Sequence, residues 1–159
     1  MTRRFLVLPA IVLVLAGAVF AAGHLSTKPA LLAARLTDAM PGPFTAEVIS
    51  VVDGDTLEVR VPIWLGQEVV TRVRLSGVDT PELHGDCDDE RRKAQAARDR
   101  LSELVRSGTV TLRDVRYDKY GGRVLAIVST ADGRPIADLL IASGLARAYD
   151  GRARSGWCG

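Results

Sequence analysis

Between Phe44 and Leu75 the chain runs through three valine-bearing stretches of strand-like alternation, separated by turns too short to hold a helix. No other feature of the sequence restricts the fold as much. Phe44–Val52 alternates loosely and reads as a strand. Asp53-Gly54-Asp55 reads as a tight turn, with Gly54 expected to supply the φ freedom. Thr56–Val61 returns as a second strand, with Leu57, Val59 and Val61 on one face. Pro62–Gln67 is expected to turn the chain into a third strand, Glu68–Leu75. Consecutive strands joined this closely pair as an antiparallel meander.

A helix is expected after the loop Leu83–Asp88. Asp88 suits its N-cap, Asp89 and Glu90 its positive end, and Gly108 its C′ position. Ala94, Ala97, Leu101, Leu104 and Val105 recur at helical spacing and form the buried stripe. Arg91, Arg92, Lys93, Arg98 and Arg100 are then its solvated face. Thr109–Val115 and Val124–Ser129 read as two further strands. A second helix opens near Pro135, turns Ile136, Leu139 and Leu140 inward, and ends at Gly144. The order is three strands, helix, two strands, helix. This is a mainly β chain with helices (α+β), and it fits a five-stranded oligonucleotide-binding barrel (OB-fold) with two helices.

The amino terminus is of another kind. Arg3 and Arg4 precede Phe5–Ala22, an uncharged apolar run of about 18 residues, near the lower limit for crossing a bilayer. Residues 1–22 are expected to act as an export signal, with Val19 and Ala21 suiting cleavage after Ala21, or to stay as a membrane anchor. Either way the rest of the chain is expected outside the cytoplasmic membrane, periplasmic or extracellular. Residues 23–43 read as a spacer, with a short amphipathic helix at 30–36 and a boundary at Pro41-Gly42-Pro43. Residues 44–159 form the domain, expected to act as a monomer. Of the 21 Lys and Arg, four (Arg3, Arg4, Lys28, Arg35) precede Phe44, and of the 19 Asp and Glu only Asp38 does. The domain is therefore near neutral, so any affinity for nucleic acid has to come from local placement of arginines. Cys87 and Cys158 are the only cysteines. In an oxidising compartment they are expected to pair, tying the tail to the loop just after Glu82. Closing a loop of about seventy residues stabilises by about 4 kcal/mol through lost chain entropy.

At Arg74-Leu75-Ser76-Gly77-Val78-Asp79-Thr80-Pro81-Glu82 the third strand breaks. Proline fixes its own φ and keeps Thr80 extended, so one strand end carries an arginine and two carboxylates on sharply turning backbone. Asp55 is expected to reach this end only through barrel closure. If the three carboxylates meet, with no histidine among them, they suit a hard cation such as Ca²⁺ in a weak, water-completed site. Otherwise Asp53 and Asp55 are turn residues and nothing more. Two arginines beside such a site suit a phosphodiester, and a free carboxylate suits proton transfer from water. His84 reads as a solvated loop residue. Tyr149 and Trp157 read equally well as packing residues.

Val52-Asp53-Gly54-Asp55-Thr56-Leu57, the stretch Arg74–Glu82, and Asp118-Lys119-Tyr120-Gly121-Gly122-Arg123-Val124-Leu125-Ala126 resemble three signature blocks of the thermonuclease (staphylococcal-nuclease-like) family. Their order and spacing match, and the resemblance covers Phe44–Tyr149. It implies a barrel that hydrolyses DNA and RNA with Ca²⁺, leaving 3′-phosphate and 5′-hydroxyl ends. By the same resemblance Asp55 and Asp79 would hold the metal, and Thr80 would add its carbonyl. Arg74 and Arg123 would grip the scissile phosphate, and Glu82 would act on the attacking water. Lys119, Tyr120 and Tyr149 would contact the nucleotide, with single strands favoured because bases can stack on exposed aromatic rings. The alternative is a non-catalytic, membrane-anchored oligonucleotide-binding module. Gly121-Gly122 is one residue longer than the commonest form of the third block, a length that two glycines can absorb as a bulge.

Overall fold

The computed structural model describes residues 39–158. The expected export segment, 1–22, and the short helix at 30–36 lie outside the described residues. Among those described, no helix is long and apolar enough to cross a membrane.

The elements run β1 (Ala39–Met40), β2 (Phe44–Asp53), β3 (Thr56–Trp64), β4 (Gln67–Leu75), β5 (Val78–Asp79), α1 (Asp88–Leu104), β6 (Thr109–Tyr117), β7 (Arg123–Thr130), α2 (Ile136–Ala142) and β8 (Arg147–Ala148). β2, β3 and β4 form the antiparallel meander, and β6 joins its free edge along β2. β7 pairs antiparallel with β6 and parallel with β4, Arg72 to Leu75 lying opposite Arg123 to Ala126. Those two ladders close the ring β6-β2-β3-β4-β7 into a five-stranded mixed barrel. The mainly β fold with two helices is therefore the oligonucleotide-binding barrel that the strand order suggests.

Alternation decides what fills the barrel. Leu57, Val59, Val73, Leu75, Val110, Leu112, Ala126 and Val128 point inward and are buried, and Leu101, Ile136 and Leu140 from the two helices join the same core. Ala94, Ala97 and Leu101 are the buried line of α1, with Val105 just past its end. Arg91, Arg92 and Arg100 lie on its outer face, in ion pairs with Asp88, Asp89 and Glu103.

Four local readings change. β3 continues through Pro62, Ile63 and Trp64, so the second turn is only Leu65-Gly66, with Gly66 at φ 71°. The cap of α1 is Cys87, whose Sγ accepts from the Glu90 N–H at 3.4 Å, and Asp88 is already helical. At the other end the helix stops at Val105, and Gly108 sits three residues further on. Gly54 is not in the left-handed region. It is required by close approach: a Cβ there would lie 2.8 Å from Ala97 Cβ and 3.0 Å from Thr80 Oγ1.

Gly54 is thus the point where the first turn slides under both α1 and the strand end that bears Thr80. Gly54→Ala is expected to cost about 1–3 kcal/mol by overpacking. Urea denaturation measures it, and an unchanged midpoint would mean that the contact yields freely.

Candidate active site

Asp55 and Arg74 meet through the simplest relation in the barrel. In the β3–β4 register Thr56 lies opposite Arg74, and the Leu75 N–H donates to the Asp55 carbonyl at 2.8 Å. Meander pairing, not barrel closure, therefore brings the first turn to the strand end. Arg74 Nη1 lies 2.6 Å from Asp55 Oδ2, with both side chains less than a tenth exposed. Its Nη2 lies 3.8 Å from Asp79 Oδ1 and donates to the Val78 carbonyl at 3.5 Å. Asp79 is on β5, which pairs with β8 so that Asp79 faces Arg147. Thr80 and Pro81 follow, both buried. Glu82 emerges from them half exposed.

Two carboxyl groups here carry raised pKa values. Burial pushes Asp55 up, and the Arg74 charge with the Thr56 hydroxyl only partly offsets it. Burial also raises Asp53, against the Gly54 N–H bond and with the help of the Asp55 and Glu82 charges. Parallel pairing of β7 with β4, Arg123 opposite Arg72, brings the third block to the same place. Asp53, Asp55, Arg74, Glu82, Tyr120 and Arg123 line one depression of about 480 Å³. Arg123 is not free in it, since its Nε is 2.5 Å from Asp118 Oδ2. Burial acts upward on Asp118, but the Arg123 bond and charge and two backbone N–H groups bring its pKa down overall. Gly122, next to Arg123, takes φ 83°, a conformation that glycine adopts without strain. The Lys119 and Arg123 cations lie over the Tyr120 ring, 5.1 Å and 5.2 Å from its centre. Lys119, Tyr120 and Tyr149 share an adjoining depression with Arg74. His84 is exposed.

The oxygen donors fit a hard cation. Asp55, Asp79 and Thr80 are buried, no nitrogen or sulfur ligand stands among them, and Asp79 Oδ1 takes no well-aligned hydrogen bond. The cluster Cys87, Glu90 and Cys158 is different, because its two sulfurs form a disulfide and offer no thiolate.

Sequence reasoning passed over Arg154 and gave Trp157 no place in the site. Arg154 Nε lies 3.0 Å from Asp79 Oδ1, and its Nη1 lies 2.5 Å from Glu82 Oε1. The indole N–H of Trp157 donates to Asp79 Oδ2 at 3.2 Å. Neither Tyr149 nor Trp157 belongs to the core. The Cys87–Cys158 bond brings them here, and this was the available signal. Cys87 is five residues past Glu82, and Arg154 is four before Cys158.

A closed barrel of this strand order, with Asp55, Arg74 and Asp79 buried together at one end of β4, is of the oligonucleotide-binding class. The sequence profile described as staphylococcal nuclease homologue matches residues 72–156, more than half of the chain. The chain belongs to that family. No curated protein matches it.

The Arg74–Asp55 pair yields a prediction. Asp55 titrates above its unfolded value of 3.8. The folded state therefore takes up the proton first as pH falls, and the ionised buried group costs stability above that raised pKa. Arg74→Gln removes the charge that offsets this cost, and about 3 kcal/mol should be lost at pH 7. The loss should shrink as acid protonates Asp55, which urea denaturation at stepped pH would follow. A deficit independent of pH would mean that Asp55 is not the uncompensated group.

Proposed function

We propose that this chain is an exported, calcium-dependent nuclease that hydrolyses DNA and RNA, favours single strands, acts as a monomer and leaves 3′-phosphate ends. The observation that carries the reading is the Arg74 guanidinium between the Asp55 and Asp79 carboxylates, with Asp55, Arg74, Glu82 and Arg123 lining one depression and Asp79, Thr80 and Glu82 an adjoining one. Membership of the nuclease family and the barrel fold support it. Export is supported by Arg3-Arg4 followed by Phe5–Ala22, and by a disulfide, which is at home in an oxidising compartment.

Asp55, Asp79 and the Thr80 carbonyl would hold Ca²⁺, which when bound neutralises charge on the phosphate. Arg74 and Arg123 then bind the non-bridging oxygens, where paired guanidinium N–H groups match the geometry and stabilise charge that grows in the transition state. Arg123 has to exchange Asp118 for the phosphate. Glu82 accepts a proton from water as the water oxygen attacks phosphorus, and the bond to the 5′ oxygen breaks, that oxygen taking a proton from solvent to leave as the 5′-hydroxyl. Lys119 takes a phosphate, while the Tyr120 and Tyr149 rings take sugar and base.

Cleavage of single-stranded DNA by the full chain should require calcium and stop with chelator. Glu82→Gln should lower turnover by about a hundredfold or more, the usual contribution of a positioned base. Salt-sensitive binding without turnover at any calcium concentration would instead identify a non-catalytic oligonucleotide-binding module.

A further inference from the structure

We propose that Arg154 is a further residue of this site, a guanidinium held on the disulfide-tied tail that sets how tightly the carboxylates take a cation. The inference rests on the assignment of Asp55 and Asp79 as the cation's carboxylates. Arg154 bridges Asp79 and Glu82 at 3.0 Å and 2.5 Å, and both oxygens of Asp79 face tail residues, Oδ1 to Arg154 and Oδ2 to Trp157. Arg154 and a divalent cation compete for the negative charge of Asp79, since their own charges repel at that distance. While Arg154 holds Asp79 Oδ1, the apparent affinity for the cation is lowered accordingly.

The tail is fastened on both sides of that arginine. Cys158 is bonded to Cys87, and the Trp157 carbonyl accepts from Lys93 Nζ at 3.4 Å. Arg147 Nη1 donates to the Ser155 hydroxyl and the Gly156 carbonyl, and its guanidinium stacks 3.7 Å from the Trp157 ring centre. Toward the domain, the Tyr149 N–H donates to the Gly77 carbonyl at 3.0 Å. These ties spend the ordering entropy of a segment without helix or strand of its own, so Arg154 is presented to the carboxylates at high effective concentration. Breaking the disulfide should release it.

Calorimetric titration of the oxidised full chain with CaCl₂ tests this, with circular dichroism as the check on folding. Arg154→Gln should bind calcium about tenfold more tightly than the unaltered chain, a usual size for coupling between two ligands. Arg154→Lys, which keeps the charge, should return the affinity toward that of the unaltered chain. Reduction of the unaltered chain should tighten calcium binding, and reduction of Arg154→Gln should add nothing. Equal or weaker affinity in Arg154→Gln overturns the proposal, as does absence of calcium binding in both. Cleavage of single-stranded DNA by the same samples separates the two readings. Tighter calcium without cleavage in any sample retains the role of Arg154 and removes the nuclease, and cleavage with equal affinities does the reverse.

Discussion

The parallel pairing of β4 with β7 is the contact on which the rest of this molecule depends. Without it the meander would be an open sheet with two unsatisfied edges, which proteins avoid by pairing or covering them. With it the sheet closes on the apolar faces of five strands, and Val73 and Leu75 lie among Ala126 and Val128 rather than against water. The same ladder starts β7 opposite Arg72, two residue pairs from Arg74. Closure of the core and approach of the third block to the first two are thus one event.

Burying Arg74, Asp55 and Asp79 together is costly, and the arrangement shows how the cost is contained. Each removed charge has an opposite one in reach, and the Arg74 guanidinium spans both carboxylates. Yet burial outweighs attraction at Asp55, whose pKa stays raised. A site in that condition gains from any further positive charge. This is a physical reason for a cation to bind there, and equally for Arg154 to settle against Asp79 and Glu82.

Much of this was legible beforehand. Strand alternation, the helical stripe of α1 and the Pro81 break follow from side-chain periodicity and restricted backbone, which are local. Asp55, Arg74, Asp79, Glu82 and Arg123 could be picked out because they sit in three linked blocks. What could not be read was how they meet. Asp55 reaches Arg74 by the plain register of adjacent strands, whereas barrel closure was expected to be needed. Gly54 was expected to serve φ, but it serves the close packing of Ala97 and Thr80. Cys87 rather than Asp88 caps α1, because the disulfide already fixes its sulfur beside the first turn.

The sequence by itself determined the barrel class, the order of its elements and the disulfide partners, since those depend on periodicity, on turn residues and on there being only two cysteines. Only the tertiary structure decided which charges share a surface. Arg154 is the clearest case: it lies in no block and on no helix or strand, and it is separated from Glu82 by 72 residues of chain. Electrostatic partners are chosen by distance in space, and for this tail that distance is fixed by the covalent bond between Cys87 and Cys158.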